Sequence, residues 1–151
     1  MSTEKTNRVE HPSYYQNKKT ECIEIIRHYT CDIANVIKYL WREGEKEEKG
    51  LTRQQKAIED LKKAIWYLED YRNMLSTFRY KTTIPFQHPS GKTAECACHL
   101  KGYIKKAFNE LWWVGLIVNG MLMINEEDEI HVSTAIHCIK EQIREYEKEI
   151  A

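Results

Sequence analysis

Asn35, Lys38 and Arg42 follow one another at spacings of three and four residues in the stretch ANVIKYLWREGEK. At 100° per residue this spacing places them on one side of a helix, together with His28 and Cys31. Amide, ammonium and guanidinium donors on one helical stripe can bind phosphate oxygens and the edge of a base. The stripe lies opposite the apolar side of the helix, so spacing alone favours a solvated surface, whereas the combination of side chains favours an anion site.

A short GKT motif is present, but the chain lacks a complete phosphate-binding loop. The segment HPSGKT, residues 88–93, has no glycine at the upstream position of the GxxxxGK[ST] pattern. We therefore interpret it as the start of a helix, with phosphate contact at a helix N-terminus as the less favoured alternative. Phosphoryl transfer in other folds requires mainly positioning and positive charge, which Lys38, Arg42 and Lys46 could provide.

Cysteine and histidine side chains recur in the second half of the chain, at Cys96, Cys98 and His99 and again at His137 and Cys138. A zinc site across two helices can be drawn from them, but the paired CxxC spacing typical of such sites is missing. Thiols buried for structural reasons and histidines on the surface are the better interpretation. We expect no metal site.

The composition describes one globular domain with balanced charge. The chain has 151 residues, of which 42% are hydrophobic and 30% are charged, with 23 basic and 23 acidic side chains. This balance does not favour a protein that binds duplex DNA or a membrane surface. Five cysteines without a signal peptide indicate a reducing compartment, so we expect a cytoplasmic protein.

The first half of the chain predicts a helical hairpin over residues 11–79, after a flexible arm at residues 1–10. Apolar residues at alternating steps of four and three predict a helix over residues 20–42. Thr52 and Gln55 have the spacing of a capping box, which predicts that a second helix begins there and continues to Leu75. The glycines and charges between the two helices indicate a short loop.

The second half predicts another helical hairpin, over residues 93–151. A linker at residues 80–92 contains two prolines and a glycine. A third helix is predicted over about residues 93–123, and a fourth over residues 128–150 with apolar residues at heptad spacing. We therefore predict an all-α fold, in which two hairpins form one domain resembling a four-helix bundle.

The third predicted helix carries a run of apolar residues, LWWVGLIVNGMLMI at 111–124. The run is shorter than the roughly 20 residues that cross a bilayer, so it does not predict a membrane span. It is apolar on nearly all sides, so a second surface must cover it. A homo-oligomer and burial within one chain are the two open interpretations. The candidate oligomer interface consists of Leu111, Trp112, Trp113, Leu116, Ile117 and Met121.

Blocks of the first half of the chain resemble the SaV-like family of phage proteins. The blocks are HPSYY with ECIEII, NVIKYLWREGEK, and EDLKKAIWYL, within about residues 10–70. The matching residues are His11, Pro12, Ser13, Tyr15, Glu21, Cys22, Ile23, Asn35, Val36, Ile37, Lys38, Tyr39, Leu40, Trp41, Arg42, Gly44, Lys46, Asp60, Leu61, Lys63, Ala64, Trp66, Tyr67 and Leu68. Tyr14 departs from the family, whose HPSHYN pattern has a histidine at that position.

The resemblance implies a mostly helical, phage-encoded protein of the bacterial cytoplasm. Some family members are described as phage nucleotide kinases. It places the polar residues of the blocks near a nucleotide, with His11, Tyr15, Asn35, Lys38, Arg42 and Lys46 as candidate contacts to nucleotide or phosphate. Tyr14, Trp41 and Trp66 are candidates for stacking on the base. The catalytic residues are not identified.

We therefore expect a nucleotide-binding protein, for which transfer of phosphate to a nucleoside monophosphate is one possible activity. The sequence implies no cofactor, although a nucleoside triphosphate would be the donor in such a transfer. The alternative is an anti-defence protein without catalysis, which either sequesters a nucleotide signal or binds and inhibits a host defence complex. The sequence does not decide between these functions.

Overall fold

The structure is a computed structural model that describes residues 20–45, 48–78, 81–82, 85 and 87–151. In this part of the chain it is mainly helical, as predicted, and contains one small antiparallel sheet. The helices are α1 (Cys22–Ile26), α2 (Cys31–Trp41), α3 (Arg53–Leu75), α4 (Gly102–Leu111) and α5 (Asp128–Ile150), and one turn of 3-10 helix spans Ala94–Ala97. The strands are β1 (Ile117–Val118) and β2 (Met121–Leu122).

The two longest helices begin and end where the sequence predicts. The Gln55 amide N–H donates to Thr52 Oγ1 at 3.0 Å, and the Thr52 N–H donates to Gln55 Oε1 at 2.9 Å, which confirms the capping box ahead of α3. Helix α5 extends over Asp128–Ile150, which is the predicted range. Both helices have a long apolar stripe, and α3 also has a clear start signal; such segments are the most predictable from sequence.

The predicted helix over residues 20–42 is wrong in its continuity, because α1 and α2 are separated by residues 27–30. The Ile117 N–H donates to the His28 carbonyl at 2.8 Å, and the Thr30 N–H donates to the Gly115 carbonyl at 2.7 Å. Because these backbone groups bond to a distant segment, they do not form the hydrogen bonds of a continuous α-helix, and the helix is interrupted.

The predicted helix over residues 93–123 is also wrong, because only Gly102–Leu111 is α-helical there. Gly115, Asn119 and Gly120 adopt positive φ values of 74°, 52° and 76°, which a continuing helix does not allow. Asn119 and Gly120 join β1 to β2, and positive φ at both turn residues suits the twist of a two-residue hairpin.

Four helices contact one another in a closed cycle: α2 with α3, α3 with α5, α5 with α4, and α4 with α2. Side chains at both ends of α3 show that it runs antiparallel to α5, since Gln54 bonds to Glu149 and Arg72 bonds to Ser133. The core between them is apolar and contains many side chains with no exposed surface, including Ile33, Leu40, Leu61, Leu68, Phe108, Leu111 and Ile139. The cycle brings the end of α2 next to the beginning of α4.

Within the described ranges, no helix has both the length and the apolar character required to cross a membrane. The predicted arm at residues 1–10 lies outside the described residues. The described residues of the predicted linker at 80–92 are not helical, and one of them, Thr82, donates its backbone N–H to the Ile124 carbonyl at 2.7 Å.

Candidate functional site

Among the candidate nucleotide contacts, Asn35, Lys38 and Arg42 are the ones that lie in the described part of the chain. His11, Tyr14, Tyr15 and Lys46 are outside it.

The three stripe residues contact their own helix. The Asn35 side-chain amide donates to the Cys31 carbonyl at 2.9 Å, one turn earlier. The Lys38 ammonium lies 5.3 Å from the centre of the Tyr39 ring, and the Arg42 guanidinium lies 5.1 Å from the same ring. Burial lowers the pKa of Lys38, and the positive charge of Arg42 lowers it further. Arg42 is only 7% exposed, so this end of the stripe is not a solvated surface.

A buried ionic cluster at the beginning of α3 lies near this stripe. Lys56 is 4% exposed, and its ammonium lies 3.1 Å from Glu48, 3.0 Å from Glu59 and 3.2 Å from Asp60. Burial alone would lower the pKa of Lys56, but the hydrogen bonds to the three carboxylates outweigh it and raise the pKa. The negative charge of Asp60 also reaches Lys38. The cluster ties the loop before α3 to the helix.

The two described candidates for base stacking lie in different surroundings. Trp41 has no exposed surface and packs edge-on against the His99 ring, with ring centres 4.6 Å apart. Trp66 is 62% exposed and lies edge-on to Tyr67 at 5.2 Å. Only Trp66 of these two presents a ring to solvent.

A cavity of about 350 Å³ lies where the end of α2 meets the beginning of α4. Four parts of the chain form its wall: the end of α2 with the following turn, the first residue of α3, the segment that enters α4, and α5. Its lining residues are Trp41, Glu43, Glu45, Arg53, His99, Leu100, Lys101, Gly102, Ile104 and Gln142. A larger concavity of about 610 Å³ is lined only by residues 48–53 of one loop, so it lacks groups that converge from separate elements.

Positive charge lines one part of this cavity. The Arg53 Nε–H donates to the Gly44 carbonyl at 2.6 Å, which orients the guanidinium. Lys101 immediately precedes α4 as its N-cap residue, and the Lys101 side chain does not cap the helix terminus. The positive end of the helix dipole therefore adds to the two side-chain charges. His99 donates its Nε2–H to the Trp41 carbonyl at 2.9 Å, so this ring joins the cavity wall to α2.

Acceptor groups line another part of the same cavity. The Tyr146 hydroxyl on α5 donates to Glu43 Oε2. Burial raises the pKa of Glu43, while this hydrogen bond and the charge of Arg53 lower it. Gln142 contributes a neutral amide from the same helix as Tyr146. The cavity therefore offers cations, a carboxylate and an amide to one ligand.

A second polar cluster, centred on His88, is buried away from this cavity. His88 is 4% exposed and stacks on Trp112 with ring centres 3.9 Å apart. The Ser90 backbone N–H donates to its Nδ1 at 3.2 Å, so Nε2 carries the ring proton and lies 2.9 Å from the Tyr29 hydroxyl. That hydroxyl donates to the Trp112 carbonyl at 2.6 Å. These groups satisfy one another, and the cluster joins the segment between α1 and α2, the 80–92 segment and the end of α4.

Of the cavity residues, the sequence indicated Trp41 as a ligand contact and His99 only as part of a disfavoured zinc site, and it did not indicate the His88 cluster. Glu43 and Arg53 lie at the edges of recognised elements, but no local pattern connects them with Lys101 and Gln142. The HPS triplet occurs at residues 11–13 and again at residues 88–90, which is the sequence feature that includes His88. Its partner, Tyr29, lies in the range 20–42 that periodicity predicts as one helix.

The candidate oligomer interface is divided between core and surface. Leu111, Trp112 and Leu116 are buried within the single chain, which is the alternative to an oligomer for this part of the run. Trp113 is half-buried, and Ile117 and Met121 are 40% and 53% exposed. The homo-oligomer stays a prediction.

Among the described residues, no three histidine, cysteine, aspartate or glutamate side chains are grouped so that they could hold a metal ion. The five cysteines are free thiols; Cys22 and Cys138 are buried, and Cys31 and Cys98 are exposed.

Residues 9–69 match the model of a protein family described as being of unknown function, DUF3310. The match covers less than half of the chain and contains α1, α2, most of α3, the Lys56 cluster and two of the four parts of the chain that line the cavity. No curated protein and no solved structure was found to match. The family description assigns no activity to these residues.

Proposed function

We propose that this protein binds a nucleotide in the cavity between the end of α2 and the beginning of α4. One observation carries the proposal: Arg53 and Lys101 line the same cavity as Glu43 and Gln142. Two positive side chains and the N-terminus of a helix suit a phosphate group. The carboxylate and the amide suit the hydroxyl and amino groups of the remaining part of a nucleotide.

The size of the cavity supports a small ligand. Its volume of about 350 Å³ lies near the lower end of the roughly 300–1,000 Å³ that is usual for ligand sites. A mononucleotide is a better match than a dinucleotide or a polymer. The mixed charge of the wall also favours a ligand that carries both an anionic group and hydrogen-bond donors.

The biological setting belongs to the same proposal and rests on the resemblance of residues 10–70 to the SaV-like phage proteins. In that setting the protein acts in the cytoplasm of a bacterial host, where it either sequesters a nucleotide or transfers phosphate to it. Binding in the cavity is common to both activities.

Isothermal titration of the full chain with each common nucleoside monophosphate and triphosphate tests the proposal. We expect binding of at least one nucleotide, and a loss of about tenfold or more in affinity for Arg53→Ala and for Lys101→Ala, because each removes a charged donor to phosphate. Lys62→Ala is the matched control, since Lys62 is an exposed lysine on α3 that does not line the cavity. No binding by any nucleotide would contradict the proposal.

The same titration compares the cavity with the predicted stripe on α2. Lys38→Ala leaves affinity unchanged if the nucleotide lies in the cavity, because Lys38 is not part of its wall. A large effect of Lys38→Ala with none of Arg53→Ala would move the nucleotide to the stripe. Detection of nucleoside diphosphate after incubation with a triphosphate, a monophosphate and Mg²⁺ separates phosphate transfer from sequestration.

A further inference from the structure

We infer that Glu43, oriented by Tyr146, accepts hydrogen bonds from the ribose hydroxyls of the bound nucleotide, so that the cavity selects ribonucleotides over deoxyribonucleotides. This inference rests on the proposed nucleotide binding and specifies the class of nucleotide.

Glu43 is oriented by a contact with a residue that is distant in the chain. It follows α2, whereas Tyr146 lies near the end of α5, and the Tyr146 hydroxyl donates to Glu43 Oε2. A carboxylate that is fixed by one hydrogen bond has lost its rotational freedom before any ligand arrives, so a further hydrogen bond costs less entropy. The contact therefore prepares Glu43 to bind a ligand.

We assign the second carboxylate oxygen of Glu43 to the ligand. Within the described residues the hydrogen bond from Tyr146 occupies Oε2, and no protein donor to Oε1 is found. Glu43 lines the cavity. An ionised carboxylate only accepts hydrogen bonds, so the ligand group that it contacts must be a donor.

The position of Arg53 indicates which donor that is. A Cβ atom added at Gly44 would lie 3.3 Å from the Arg53 guanidinium and 3.6 Å from the Tyr146 hydroxyl, so both groups converge beside the residue that follows Glu43. A phosphate bound by Arg53 therefore lies close to the Glu43 carboxylate. In a nucleotide the sugar adjoins the phosphate and the base lies beyond the sugar, which makes the ribose hydroxyls the nearest donors. Acidic side chains accept from ribose hydroxyls in the same way in dinucleotide-binding folds.

Titration with paired ribonucleotides and deoxyribonucleotides that carry the same base and phosphates tests the inference. We expect the full chain to bind the ribonucleotide about tenfold or more tightly, because a hydrogen bond to a charged acceptor is lost with the hydroxyl. Glu43→Gln should reduce the preference to less than about threefold. Glu145→Gln, at an exposed position of α5, is the matched control and should retain it.

Tyr146→Phe provides a readout that depends on the carboxylate and not on folding alone. The charged and titratable groups that face Glu43 are Arg53 on α3, Glu45 in the turn, and Tyr146 and Glu149 on α5, with His99 and Lys101 on the cavity wall. The Tyr146 hydrogen bond lowers the pKa of Glu43, so its removal in Tyr146→Phe should raise that pKa. As the pH is lowered, the variant should therefore lose its ribose preference at a higher pH than the wild type does.

The possible outcomes separate this inference from the proposed function. Absence of binding by every nucleotide overturns both. Equal affinity for the ribonucleotide and the deoxyribonucleotide, with binding still dependent on Arg53, overturns the inference alone. A preference that Glu43→Gln leaves intact also overturns it, because another group would then read the sugar.

Discussion

The His88 ring is neutral in the folded protein at neutral pH. Burial lowers the pKa of His88 from 6.5 to about 4, the hydrogen bond with the Trp112 carbonyl opposes this change, and the charge of His28 adds to it. In the unfolded chain the ring returns to its ordinary pKa, so between these two values the unfolded chain binds more protons than the folded one. The contribution of His88 to the free energy of unfolding is therefore complete above about pH 6.5 and decreases as the pH falls toward 4.

We predict that His88→Gln weakens the pH dependence of stability. Between pH 7 and pH 5 the wild type should lose about 2 kcal/mol more than the variant, since one pKa unit corresponds to about 1.4 kcal/mol. Urea unfolding at both pH values measures the difference. Burial and then Asp70 raise the pKa of Asp32 to about 6, which acts in the opposite direction but equally in both proteins. Identical pH dependence in the two proteins would contradict the prediction.

The replacement of Lys56 should lower the free energy of unfolding. Lys56→Met leaves the carboxylate of Asp60, which is 6% exposed, without its partner, so we predict a loss of about 3 kcal/mol in the free energy of unfolding. Lys63→Met is the control, because Lys63 is half exposed and its 3.5 Å ion pair with Glu59 should contribute less than about 1 kcal/mol. Chemical denaturation measures both values, and equal losses would show that Lys56 acts as a surface charge.

At the scale of elements, Gly115 determines how the β-hairpin packs against α2. Its φ of +74° lies in the left-handed region, and a Cβ atom there would lie 2.5 Å from Cγ1 of Ile33, a fully buried residue of α2. Its carbonyl accepts from Thr30 at the break between α1 and α2. One glycine thus permits both the turn and the close approach of the two segments.

We predict that Gly115→Ala lowers the free energy of unfolding by about 3 kcal/mol, because backbone strain and overpacking against Ile33 add together. Gly91→Ala is a matched control, since Gly91 has a φ of +73° and no atom within 4 Å of the added Cβ. It should lose only the backbone contribution of about 1–2 kcal/mol. Thermal or urea unfolding compares them, and equal losses would mean that the contact with Ile33 relaxes freely.

Helices were predictable from the sequence where residues close together in the chain define their ends and faces. Helix α3 has a capping box and α5 has a heptad stripe, and both occupy their predicted ranges. The division of residues 20–42 was not predictable from periodicity, because the hydrogen bonds responsible join residues 28–30 to residues 115–117. The Asn119–Gly120 pair was a local signal for a hairpin, and the apolar residues around it hid that signal.

At the scale of the whole molecule, the region that matches a family model depends on the remaining chain. The faces of α2 and α3 are covered by α4 and α5, and Leu61, Ala64, Leu68 and Tyr71 of α3 have no exposed surface. A fragment of residues 1–78 would expose much of this surface to water. Chains of this size also bury a smaller fraction of their surface and are only marginally stable.

We therefore predict that residues 1–78 alone do not fold, whereas the full chain unfolds in a single cooperative transition. Circular dichroism during urea titration should show a sigmoidal transition for the full chain and a shallow, non-cooperative change for the fragment. A cooperative transition in the fragment would show that residues 9–69 contain a self-sufficient core.

The sequence by itself determined the mainly helical class, the ranges of α3 and α5, and a polar stripe on α2, because each depends on residues within a few turns of one another. Tertiary structure decided where α2 begins, how the apolar run at 111–124 is buried, and which polar groups share a cavity. Glu43, Arg53, Lys101 and Gln142 are separated by up to 99 residues in the chain. Their convergence depends on the packing of four helices, and helical periodicity describes each helix's own faces but not which neighbour each face meets.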